Sequence, residues 1–135
     1  DMQMNGNVIC RDFDVESGLA LNSESELKLE NGFAAFTKDF FDNGAYVIEN
    51  NQTHEVSLRD PEGKNYLNVY FPEAPLFGLW SAEKKNAPYA AIEPWFGRCD
   101  KEDFNGSLEE REWGHALAQG ACFQAAYTIE IAGED

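Results

Sequence analysis

Glu93 is the residue of this chain best placed to do chemistry. It stands in Ala90-Ala91-Ile92-Glu93-Pro94-Trp95-Phe96-Gly97, where a short apolar run meets a Pro/Gly turn. Tyr89 to Ile92 read as a buried strand, and Pro94 and Gly97 are expected to end it. Glutamate is seldom fully buried without a partner. A carboxylate at the end of a buried strand, beside an indole, is therefore either ion-paired structurally or kept for proton transfer, and the pattern alone leaves both open. Burial moves a carboxyl group toward neutrality, which suits a general base working near pH 7.

The remaining candidates are weaker. Trp95 and Trp80 offer flat apolar faces that suit a sugar ring and equally suit a groove wall with no ligand. Asp42 and Asn43 could hydrogen-bond sugar hydroxyls from a loop tip, but Asp-Asn-Gly is also an ordinary turn. Arg98 and Asp100 are expected to pair and hold the loop after Glu93. Glu109 to Glu112 form a charge run of the kind found on a solvated face. His54 opens a polar strand, His115 lies in a charged connection, and both read as surface residues. Cys10, Cys99 and Cys122 are an odd set at wide spacing, matching neither a zinc site nor a disulfide framework and suiting reduced thiols in the cytoplasm.

These residues need a scaffold, and 135 residues suffice for one domain with one core. The chain has 10 basic and 25 acidic residues, a net charge of −15, so its surface repels phosphate backbones and anionic membranes. Neither a nucleic-acid nor a membrane partner is expected, and a neutral small molecule is favoured over an anionic one. No apolar run has the length of a membrane span.

Strand signals dominate. Asn7 to Phe13, Ala45 to Glu49, Leu76 to Trp80 and Tyr89 to Glu93 are apolar or β-branched. Glu55 to Leu58 and Tyr66 to Phe71 alternate on either side of Asp60-Pro61-Glu62-Gly63-Lys64, which predicts a β-hairpin. The cleanest alternation is the last: Phe123, Ala125, Tyr127, Ile129 and Ile131 face one way. Residues 22 to 32 read as an acidic surface loop. Leu108 to Leu117 read as a short helix cut by Gly106 and Gly114. Phe33, Phe36, Phe40 and Phe41 read as a core-filling cluster. Many short strands and frequent turns predict an all-β, antiparallel β-sandwich.

Ile92-Glu93-Pro94-Trp95-Phe96-Gly97-Arg98-Cys99-Asp100 resembles the I-E-P-W-Y-G-R-C-D segment of the aldose 1-epimerase (galactose mutarotase) family, in its bacterial LacX-like branch. The likeness runs back through Ala74 to Ser81 and Lys85 to Tyr89. It runs forward through Glu110-Arg111-Glu112-Trp113 and Tyr127 to Ile131, and Phe41 to Ala45 resembles the family's turn before a strand. It implies a β-sandwich of the galactose mutarotase type that binds a free aldose in a groove and interconverts its anomers by opening the ring, with no metal or organic cofactor. A glutamate removes the anomeric proton while a histidine protonates the ring oxygen, and Glu93 matches the base. Trp95, Trp80 and Asp42 are the substrate-binding candidates.

Family chains are longer, and their catalytic histidines come from the N-terminal portion. This sequence resembles the C-terminal portion, a partial sandwich, so the acid is expected from that other portion. The expected partners are thus an aldose and either the N-terminal portion of the enzyme or a second copy of this chain. A carbohydrate-binding module that keeps the groove without the chemistry is the alternative.

Overall fold

The Asp60 to Lys64 turn organises the strands on either side of it. Gly63 takes a positive φ of 86°, and the Lys64 N–H donates to the Asp60 carboxylate at 2.8 Å, closing the hairpin. The hairpin belongs to a computed structural model that describes residues 2–3 and 7–132. Its strands are β1 (Met2–Gln3), β2 (Val8–Phe13), β3 (Ala20–Leu27), β4 (Phe33–Ala34), β5 (Tyr46–Ile48), β6 (Glu55–Arg59), β7 (Asn65–Tyr70), β8 (Leu76–Trp80), β9 (Ala91–Trp95) and β10 (Thr128–Ile131).

The architecture is the all-β, antiparallel, two-sheet arrangement that the short strands predict. The first sheet runs β3-β2-β5-β8-β9, and the second runs β10-β7-β6 and continues through β1 to β4. Every named strand pair is antiparallel. Residues from both sheets enter one core between them. Val8, Cys10, Leu27, Ile48, Phe77 and Leu79 come from the first sheet, and Val56, Leu58 and Val69 from the second, joined by Phe71 and Ala74. Phe36, Phe40, Phe41 and Tyr46 form an aromatic cluster against this core, with ring centroids 4.6–6.2 Å apart. Phe33 instead lies under the Arg59 guanidinium, 3.0 Å from its ring centroid.

Four expectations need correction. Residues 22–27 are not loop, and only residues 28–32 form the expected connection, since Ala20–Leu27 is an eight-residue strand. Its polar sequence reflects an edge position: Asn22 to Glu26 are exposed, and only Ala20 and Leu27 are buried. The helix expected over Leu108–Leu117 is a single 3₁₀ turn, Leu108–Glu110, held by a capping box between Ser107 and Glu110. Pro94 does not end β9 but lies within it, paired with Phe77, because an edge strand tolerates a missing N–H on its free side. The long last strand pairs only over Thr128–Ile131, and residues 121–127 join no ladder.

Candidate functional site

Register decides which side chains meet at Glu93. In the β8–β9 ladder Gly78 pairs with Glu93, Leu76 with Trp95 and Trp80 with Ala91. Phe77 and Leu79 point into the core, so Gly78, Trp80, Glu93 and Trp95 share the opposite, outer face. The sheet therefore brings Glu93, Trp95 and Trp80 together on one surface.

Gly78 makes the local geometry possible. A Cβ there would lie 2.9 Å from the six-membered ring of Trp95, so only glycine lets the indole cross β8 at this height. The indole Nε1–H then donates to Glu93 Oε2 at 3.2 Å. Glu93 is half-buried and, among the described residues, has no cationic partner. Trp80 makes its contacts elsewhere. Its Nε1–H donates to Glu83 at 3.3 Å, and its ring meets Tyr89 at 6.0 Å.

Beside this surface the chain closes the outer face with charge. After β9, at one edge of the sheet, the backbone reaches β3, at the other edge. There Ala20 N–H donates to Asp100 C=O at 3.0 Å, and Glu102 N–H to Ala20 C=O at 2.9 Å. Residues 96–100 thus cross the sheet, which explains why Val47 and Leu76, pointing away from the core, are each only 1% exposed. Arg98 lies within this crossing and pairs with Glu49 and Glu112. Glu49 also meets Arg11 Nε at 3.4 Å, Arg11 meets Glu24 at 2.5 Å, and Lys101 meets Glu112 at 2.9 Å. Charges of alternating sign therefore run across the sheet from Glu24 to Lys101.

Burial works against the Arg98 charge, but the hydrogen bonds and charges of Glu49 and Glu112 outweigh it and raise its pKa. The Lys101 hydrogen bond, with Arg98 behind it, holds Glu112 below the usual carboxylate range against some desolvation. The expected Arg98–Asp100 pair does not form: Asp100 takes Arg111 instead, at 2.6 Å. Gly97 fits beneath the Trp113 carbonyl, which a Cβ would approach to 3.0 Å, so the Trp113 segment lies over the turn after Glu93.

The other candidates lie apart. Asp42 lines a separate hollow of about 280 Å³ with Phe36, Tyr66 and Tyr89. Its N–H closes a turn on Asp39 C=O at 3.1 Å. His54 immediately precedes β6 of the second sheet, with its Nδ1 3.3 Å from Phe71 C=O. His115 is exposed, with Nε2 against Phe96 C=O and its ring 5.5 Å from Phe123. The three cysteines are free thiols, and burial, with Asp12 nearby, pushes the Cys10 thiol up to about 12. Among the described residues no group of three or more His, Cys, Asp or Glu side chains is placed to hold a metal ion, and no helix is long and apolar enough to cross a membrane.

Sequence reasoning missed Glu49 and Arg11. The signal was present, because Tyr46-Val47-Ile48-Glu49 repeats the arrangement of a short apolar strand followed by a carboxylate that singles out Glu93. No family model, curated protein or solved structure matches this chain.

Proposed function

We propose that this chain carries the general-base part of an aldose 1-epimerase site, with Glu93 taking the proton of the anomeric hydroxyl of a neutral hexose. One observation carries the reading. Glu93 is a half-buried carboxylate that, among the described residues, has no cation to neutralise it and is oriented by an indole N–H on a sheet face that also carries Trp80. Only Oε2 accepts from Trp95, which leaves Oε1 for a sugar hydroxyl. The Trp95 ring, spread across Gly78, supplies the apolar wall against which a pyranose can stack.

Ring opening moves two protons in opposite senses. The anomeric O–H loses its proton to Glu93, the C1–O5 bond breaks, and O5 takes a proton from an acid. Closure on the other face of C1 reverses both transfers, so no metal or organic cofactor is consumed. His54 lies immediately before β6 of the other sheet, and the acid is assigned to a histidine outside this chain. The compartment that fits reduced thiols and a free metabolic sugar is the cytoplasm. That position of His54 also favours the second reading, a carbohydrate-binding module without chemistry.

Titration of the isotope-labelled chain with D-galactose and D-glucose tests the site. The Trp95 indole N–H resonance should move on saturation, while that of Trp113 should not. If no aldose moves it, the sugar-site reading is wrong. Polarimetry of freshly dissolved sugar, with the acid-bearing portion supplied, separates enzyme from module. Glu93→Gln should slow mutarotation on the order of 10²–10⁴-fold with sugar binding largely kept.

A further inference from the structure

The end of the sandwich formed by β9 and β10 is open. Tyr127, Ile129 and Ile131 have the parity of Val69 and Leu67 and turn their side chains toward the first sheet. Among the described residues no strand of that sheet covers them, and they are 61%, 53% and 76% exposed. Beneath them a hollow of about 440 Å³ reaches between the sheets, lined in part by Leu58, Val69, Ile92, Tyr127 and Ile129 and bordered by Glu93. A row of large aliphatic and aromatic side chains facing water marks a contact surface.

Each sheet ends here on an edge strand, and the two edges differ. β9 carries Pro94, whose missing N–H interrupts any ladder on its free side. β10 has no proline, and alternate residues of Thr128–Ile131 direct backbone N–H and C=O away from β7. Pairing is therefore open at β10. The opposite face of β10 fixes what can pair. Glu130 projects there, and both of its donors, Asn68 at 2.9 Å and the Tyr70 hydroxyl at 3.0 Å, go to Oε2. Those hydrogen bonds hold Glu130 below the usual carboxylate range, so it presents a charge.

We propose that β10 is a docking edge for an extended segment of a partner polypeptide in which apolar and cationic residues alternate. The added strand would place its apolar side chains beside Ile129 and Ile131 and its Lys or Arg side chains beside Glu130. A second copy of this chain fits poorly. β10 against β10 would bring Glu130 near Glu130, and two chains of net charge −15 would meet. The proposal does not depend on the role of Glu93.

Two short N-acetylated peptides test it on the intact chain, one alternating Val with Lys and one alternating Val with Glu. The Val/Lys peptide should slow amide exchange over Thr128–Ile131, and its binding should weaken as salt is added. The Val/Glu peptide should bind more weakly, by roughly two- to fivefold for each cross-strand charge pair lost. Ile131→Lys, at an exposed position that leaves the fold intact, should abolish protection. Equal binding of both peptides, no binding of Val/Lys, or protection elsewhere would overturn the proposal. So would a concentration-dependent dimer of the chain alone that protects β10, since the occupant would then be a second copy.

Discussion

Glu49 and Glu93 look alike in the sequence and differ in the folded protein. Each is a glutamate set among apolar residues, in or directly after a short strand of the same sheet, on its outer face. Glu49 follows β5 near the middle of the sheet, where the crossing segment covers it. It is 4% exposed and held between Arg98 and Arg11. Glu93 lies on the edge strand β9, which leaves it half-buried with, among the described residues, an indole as its one hydrogen-bond partner. A carboxylate buried between two guanidinium groups does not offer its remaining lone pairs to a substrate proton. One that touches a single N–H does. Position in the sheet, more than residue type, therefore separates a structural carboxylate from one available to a ligand.

Arg98→Ala should do the most damage on the Glu49 side. It leaves Glu49 buried with only the longer Arg11 contact, and removing one member of a buried pair costs about 3–5 kcal/mol. Urea unfolding should show the loss. Arg98→Met combined with Glu49→Leu should recover most of it, because no buried charge is then left uncompensated. A double variant no more stable than Arg98→Ala would mean that the pair itself supplies stability.

Gly78→Ala acts on the other carboxylate. Its methyl would meet the Trp95 ring at 2.9 Å and push the indole away from Glu93, with an overpacking cost of about 1–3 kcal/mol. The Trp95 indole resonance should shift, whereas exchange at Arg98 and Glu49 should stay as in the parent. Disturbance of both regions would show that the two carboxylates are coupled.

Cys10 gives a smaller effect, seen in alkali. Its thiol ordinarily ionises near 9.0 and in the folded chain only at about 12. The unfolded chain therefore loses that proton first, and stability should begin to fall as pH rises above about 9.0 and continue to fall toward about 12. Cys10→Ala, compared with the parent, should flatten that part of the profile, and Cys122, exposed, should alkylate before Cys10. Ile131→Lys should matter least to stability, within about 0.5 kcal/mol, because its side chain is already 76% exposed. A larger loss would mean that the open end contributes to the core.

Much of the scaffold is legible in the residues. Asp60-Pro61-Glu62-Gly63-Lys64 carries its own turn chemistry, and Leu76 to Trp80 is apolar enough to be a strand whatever its neighbours. β3 was not legible, because an edge strand exposed along most of its length needs no apolar alternation. The alternation of residues 121–131 overstated β10, because periodicity records which face a strand would bury and not whether a neighbour exists to bury it.

Residues close together in the chain were enough to set the all-β class, the hairpin, the core phenylalanines and the carboxylate beside Trp95. Three other features came only with the folded arrangement: Glu49, not Asp100, holds Arg98; Gly78 lies under the Trp95 indole; and β10 faces water. Each depends on residues far apart in sequence, 49 positions for Glu49 and Arg98, and only the order of strands in the sheets brings such residues together or leaves them apart.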